Sequence, residues 1–295
     1  MGNQVYNSHC FVKSHGLGND YIVLDSSEID FELGKAAIEL ICHRNYGIGS
    51  DGILLLVPPT KGDFGLRILN PDGSEAEKSG NGLRIFAKYL YEKKHASSKT
   101  FSIDTPGGLV TAEVEEEDGK VHHVTVEMGG ATFRADEIPV DIEKEEVVAE
   151  RLVLEKGEFD FTAVSVGNPH CVIFFDELKE DLIRELGPEI ENHPVFPNRT
   201  NVQFAQVISP DSVRILIWER GAGYTLASGS SSCAVAAACV ISGLTNRKLR
   251  VLMPGGHLDI NVGEDWSITM RGEVEEVFSG ILSDDLLHRL KNPSP

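Results

Sequence analysis

No run of eighteen apolar residues occurs in this chain, which excludes a conventional membrane-spanning helix. The opening residues, M-G-N-Q-V-Y-N-S-H-C, also lack the charged-then-apolar profile of a secretory leader, so a cytoplasmic protein with no membrane partner is expected. Met1-Gly2 begins like a myristoylation site, but Tyr6 stands where that pattern needs Ser or Thr. Basic residues are scarce: 27 Lys and Arg face 46 Asp and Glu, a formal charge of -19 that repels nucleic acid and anionic membranes. The densest basic grouping, Arg247-Lys248 with Arg250, is brief and reads as a solvated turn. Cysteine is sparse and odd in number: Cys10, Cys42, Cys171, Cys233 and Cys239 sit at irregular spacings and read as free, mostly buried thiols.

What remains is an ordinary globular composition, 41% hydrophobic and 25% charged, in 295 residues, enough for two domains with their own cores. Two stretches stand out. From Trp218 to Val240 a glycine loop leads through Ser228, Gly229, Ser230, Ser231 and Ser232 into an alanine-rich run. From Asn70 to Leu90 a turn leads through Ser79, Gly80, Asn81 and Gly82 into an apolar-periodic run. Each reads as a helix start, where unpaired backbone amides and the helix dipole favour a carboxylate or phosphate. The apolar helices themselves are predicted over Leu83–Tyr91 and Cys233–Ile241, buried on most faces. Two such starts in one chain suggest one shared site.

These two starts belong to an ordered series of motifs: F-V-K-S-H-G-L-G-N-D-Y from Phe11, G-I-G-S-D-G from Gly47, N-P-D-G-S-E-A-E from Asn70, V-G-N-P-H-C-V from Val166, T-N-V from Thr200 and E-R-G-A-G from Glu219. Over nearly its whole length the chain resembles the diaminopimelate epimerases. That resemblance implies an α/β (α+β) fold of two pseudo-symmetric halves, each a sheet wrapped around a central helix, with residues 1–128 plus 274–295 in one half and 129–273 in the other. It also implies a cofactor-independent, metal-free amino-acid isomerase of lysine biosynthesis, and leaves room for a homodimer. In the family each helix start carries a catalytic cysteine, one on either side of the substrate α carbon; here Ser79 and Ser228 hold those places. The resemblance further assigns substrate contacts to Asn19, with Tyr21 beside it, and to Asn70, Asn168, Asn201, Glu219 and Arg220. It directs the amides of Gly80, Asn81, Gly229 and Ser230 at the substrate carboxylate and places His170 near the site. Two departures are visible: Gly52 replaces a glutamine common in the family, and Tyr224 stands where relatives often have Glu.

Along the chain, the residues predict a hairpin within Val5–Asp25 and a helix over Phe31–Arg44. Strands follow at Ile53–Val57 and Phe64–Leu69, then a pair at Ser102–Val114 and His122–Met128 with an acidic turn at Glu115–Gly119. Near Gly129-Gly130 the order of elements restarts, suggesting an internal duplication. Strand pieces around Gly167–His170, a helix over Leu178–Leu186, a strand at Val202–Val207, a hairpin within Leu249–Val262 and a closing helix over Asp284–Leu290 complete the reading.

Racemisation without a cofactor needs a base on one face of the α carbon and an acid on the other. A thiol titrates at about 8.5, whereas a serine hydroxyl resembles water at about 15.7. Ser79 and Ser228 are therefore poor catalysts unless activated, and Lys78 and His170 are the activators the sequence offers. Alternatives are a single-base isomerase or dehydratase of the same fold, a non-catalytic amino-acid-binding paralogue, or a chain in which both cysteines were deliberately changed.

Overall fold

The computed structural model describes residues 8–292. The myristoyl-like start and the first residues of the Val5–Asp25 reading lie outside the described residues. The chain divides into two compact units, Met1–Val126 with Glu273–Pro295, and Glu127–Gly272.

The first unit opens with the hairpin β1 (Cys10–Gly16) and β2 (Asn19–Asp25), turned at Leu17-Gly18, where both residues have positive φ. It continues through α1 (Lys35–Cys42), β3 (Ile53–Val57), β4 (Phe64–Leu69), the short β5 (Glu75–Ala76), α2 (Gly80–Glu92), β6 (Thr100–Thr105), β7 (Gly108–Glu117) and β8 (Lys120–Gly130). The chain returns to it at the end with β18 (Glu275–Ile281) and α5 (Asp284–Lys291). Hydrogen bonding orders the strands β18-β1-β2-β3-β4-β6-β7-β8, with β5 also on β4; β2–β3 and β4–β6 are parallel and the other neighbours antiparallel. Helix α2 packs on β1, β2 and β7, burying Leu83, Ile85, Phe86, Ala87 and Leu90.

Three expectations change here. Helix α1 is shorter than Phe31–Arg44, because Phe31 and Leu33 pack onto the same core from the preceding loop rather than from another helical turn. Ser102–Val114 is two strands, since Pro106-Gly107 breaks the run and Thr105 pairs with Gly108 across a tight turn. The acidic residues Glu115–Glu117 finish β7, leaving only Asp118-Gly119 to turn the chain.

The second unit contains β9 (Glu150–Leu154), β10 (Gly157–Ser165), β11 (Pro169–Phe174), α3 (Glu180–Glu191), β12 (Asn201–Ser209), β13 (Ser212–Glu219), β14 (Gly223–Thr225), α4 (Gly229–Ile241), β15 (Lys248–Met253), β16 (Gly256–Val262) and β17 (Ser267–Glu273). Its order is β9-β10-β11-β12-β13-β15-β16-β17, with β14 also on β13; β11–β12 and β13–β15 are parallel. Strand for strand this repeats the first unit, with α1 and α3 in matching crossovers and α2 and α4 each entered from a short strand. Helix α4 packs on β10, β11, β12, β13, β15 and β16, and its alanines and both cysteines are fully buried.

Helix α3 runs past the predicted end at Leu186 and contains Pro188. Gly187 lets it do so: a Cβ there would come within 2.6 Å of the Trp218 ring. Among the described residues no helix is long and apolar enough to cross a membrane.

Candidate active site

Both serine-led helices begin earlier than their apolar runs. Ser79 is the N-cap of α2, its backbone extended (φ -141°, ψ 119°), and its Oγ accepts the Gly82 N–H at 3.1 Å. The residues predicted as loop, Gly80 to Gly82, are the first helical turn. Because Ser79 takes up the Gly82 amide, those of Gly80 and Asn81 are helix-start donors with no acceptor inside the helix.

Around this cap a polar network ties β1, β2, the loop before β3 and α2 together. The Asn81 amide donates to Asn19 Oδ1 at 3.1 Å, and Asn81 Oδ1 accepts from Arg84 Nη2 at 2.9 Å. Asn19 donates in turn to Asp51 Oδ2 at 3.0 Å. Arg44 bridges Asp20 (2.9 Å) and Asp51 (2.7 Å), and Lys13 reaches Asp20 at 2.9 Å. Burial works to raise the Asp20 carboxyl, but hydrogen bonds from Arg44, Lys13 and Asp51 outweigh it and hold it at about 2. Arg84 is fully buried, and Gly16 makes room for it: a Cβ there would lie 3.0 Å from Nη2. Tyr21 Oη stands 3.3 Å from Ser79 Oγ. Asn70 is held by its own turn, donating to Ser74 Oγ at 2.9 Å, and among the described residues no hydrogen bond joins it to this network.

In the second unit Ser228 caps α4 in the same way (φ -149°, ψ 127°), with Oγ accepting the Ser231 N–H at 3.4 Å and Ser230 Oγ at 3.4 Å beside it. Gly229 and Ser230 are the first-turn amides. Glu219, at the end of β13, receives a hydrogen bond from Ser228; burial nevertheless pushes its carboxyl above the usual carboxylate range. Asn201 donates to the Pro169 carbonyl at 2.8 Å and accepts the Arg220 backbone N–H at 3.0 Å. The exposed Arg220 side chain reaches the Asn198 carbonyl at 3.0 Å. His170 donates from Nε2 to Asn168 Oδ1 at 2.9 Å. Complete burial lowers its pKa to about 3, so it is a neutral ring at physiological pH and not a charged activator. Tyr224 is turned to α3, with the Arg184 guanidinium 4.0 Å above its ring.

The polar residues that sequence reasoning passed over are Asp51, Arg44, Arg84 and Gln203, whose amide donates to Ser231 Oγ at 3.0 Å inside the α4 cap. Arg84 carried a signal: a charge between Leu83 and Ile85 in an apolar-periodic run needs an internal partner. Asp51 lies in the G-I-G-S-D-G motif, but its link to Asn19, that of Arg44 to Asp20 and that of Gln203 to Ser231 join residues remote in sequence, which no local pattern marks.

A family model described as diaminopimelate epimerase matches residues 11–134 and 162–277. Among named relatives, diaminopimelate epimerase 2 of Nostoc sp. is 50% identical over 94% of this chain and 96% of its own length. The diaminopimelate epimerase of Desulfitobacterium hafniense is 42% identical over 94% and 99%. Among solved structures, a probable proline racemase from Agrobacterium radiobacter superposes with a TM-score of 0.70 at 14% identity, covering 94% of this chain and 93% of that one. A methylitaconate-delta-isomerase does so with 0.67 at 14% identity, covering 94% and 96%; at such identities these two share the fold alone. With a matching family model over both units and half of the aligned positions identical to a relative covered over 96% of its length, this chain belongs to the diaminopimelate epimerase family.

Proposed function

We propose that the protein is a cofactor-independent isomerase that inverts the α carbon of diaminopimelate or a closely similar amino acid, with Ser79 and Ser228 as its two proton-handling groups. The observation that carries this reading is the repeated cap: at equivalent points of two matching topologies, a serine hydroxyl closes a buried helix whose first amides are left to hold an anion. Those amides stabilise the negative charge that builds as the α proton leaves. Asn19, Asn70, Asn168, Asn201, Glu219 and Arg220 serve as the substrate-binding groups, the Glu and Arg suiting an ammonium and a carboxylate.

Serine makes the proton transfers harder. The gap from a thiol is about 7 pK units, or on the order of 10 kcal/mol at about 1.4 kcal/mol per unit. Wild-type protein should therefore bind the amino acid and exchange its α proton with deuterated solvent slowly. Changing Ser79→Cys and Ser228→Cys together should raise exchange by orders of magnitude, and each change alone by less. No binding and no exchange in the double variant defeats the reading. Exchange without inversion favours a single-base isomerase.

A further inference from the structure

Ser79 is not alone at its helix start. Its Oγ accepts the Gly82 N–H and lies 3.3 Å from Tyr21 Oη. Tyr21 sits on β2, 7% exposed, opposite Ser14 of β1, in a strand whose next three residues are fully buried. Its ring is seated by an absence: at Gly52 a Cβ would fall 2.9 Å from Tyr21 Cε1 and 2.7 Å from the Leu69 carbonyl oxygen. A side chain at position 52 and this pose of the Tyr21 ring exclude one another. The space left open at Gly52 is what seats the ring whose phenol lies beside the serine.

We propose that Tyr21 is a positioning and proton-relay residue acting through Ser79, so that the first unit works as a serine–tyrosine pair. This rests on the isomerase reading above. As Ser79 gives its proton to the substrate carbanion, the C–H bond forms and the Ser79 O–H bond breaks. Tyr21 then passes its phenolic proton to Ser79 Oγ, and the negative charge ends on the phenolate. In the reverse direction the phenolate takes the Ser79 proton while Ser79 Oγ takes the α proton, and the C–H electron pair stays on the substrate, spread into its carboxylate. Either way the charge rests on a phenolate, the conjugate base of a stronger acid than an aliphatic hydroxyl, instead of on a serine alkoxide. With the phenol as donor, it and the Gly82 amide occupy the acceptor side of Oγ, which leaves the serine's own hydrogen for the substrate.

The test is a double-mutant cycle on α-proton exchange with diaminopimelate in deuterated solvent. Tyr21→Phe removes one hydroxyl and keeps the ring against Gly52. In the wild-type background it should lower kcat by about 100-fold with KM little changed. In the Ser79→Cys background the thiol makes the phenol dispensable, and the same change should matter by less than about threefold. The alkaline limb of the pH profile should lie at lower pH in Ser79→Cys than in wild type, because a thiol then handles the proton. Equal losses in both backgrounds would mean a structural role and overturn the proposal. So would a wild-type protein that is inert while the double cysteine variant is active, because Ser79 would then be unassisted. If no variant exchanges at all, the isomerase reading itself falls and the relay with it.

Discussion

Helices α2 and α4 occupy equivalent places in two matching topologies and are capped by the same residue type, yet their interiors are built on opposite principles. Helix α2 fills its surroundings with large groups, Leu83, Ile85, Phe86 and Leu90, and takes Arg84 and Lys88 into the core, the latter donating to the Val121 carbonyl at 2.7 Å. Helix α4 presents alanine at 234, 236, 237 and 238, all without exposed surface, so the strands around it close nearly to its backbone. The cap and the strand order are common to both units; the means of filling the space inside is not. What the two share is what presents the serine hydroxyl, and the packing behind it was free to diverge.

The largest effects should come from testing that packing difference. Phe86→Ala should cost about 3–5 kcal/mol, because it opens a cavity behind α2. Ala236→Leu should cost about 1–3 kcal/mol by overfilling α4. Urea titration of each variant measures both, and a tolerated Ala236→Leu would show that the second unit has room the structure denies.

A smaller contrast lies in the caps. Ser79→Ala should cost about 1 kcal/mol with little dependence on mildly acidic to neutral pH. Ser228→Ala should cost more as pH rises, because alanine leaves the ionised Glu219 without its hydroxyl donor. Parallel losses across pH 4 to 8 would erase the distinction.

The smallest effect is the most diagnostic of sign. The Glu219 pKa is raised by folding, so its contribution to stability is complete below about 4.5, the unfolded value, and is lost as pH climbs through the folded value. Glu219→Gln should therefore gain on wild type as pH rises from mildly acidic to neutral, read as a shift in urea midpoint. A difference that stays flat with pH would place Glu219 in water rather than in a dry pocket.

Sequence patterns carried much of the framework. Ile53–Val57 and Phe64–Leu69 are the strands the apolar runs indicated, because Pro58 and the glycines beside them punctuate the runs. The helix starts were misplaced by three or four residues, since glycine and serine are weak helix formers whose cost the cap hydrogen bond and burial offset. The end of α3 was placed too early, because the sequence does not show the Trp218 face on which Gly187 lets the helix continue through Pro188. At the candidate site, Ser79 and Ser228 were legible as caps. The contacts of Tyr21 with Ser79 and of Glu219 with Ser228 were not, since each joins a strand to a helix start through tertiary structure alone.

The return of β18 to β1 also sets an order of events. Glu127–Gly272 is an unbroken stretch of chain and can fold as soon as it is made, whereas Cys10 must wait for Ile281 before its outer neighbour exists. Closing so long a loop is a slow step, and domains tend to form as their sequence becomes available during synthesis. Strand β1, although it precedes Glu127–Gly272 in the chain, thus belongs to the unit that is completed after it, and until β18 arrives β1 carries an unpaired edge.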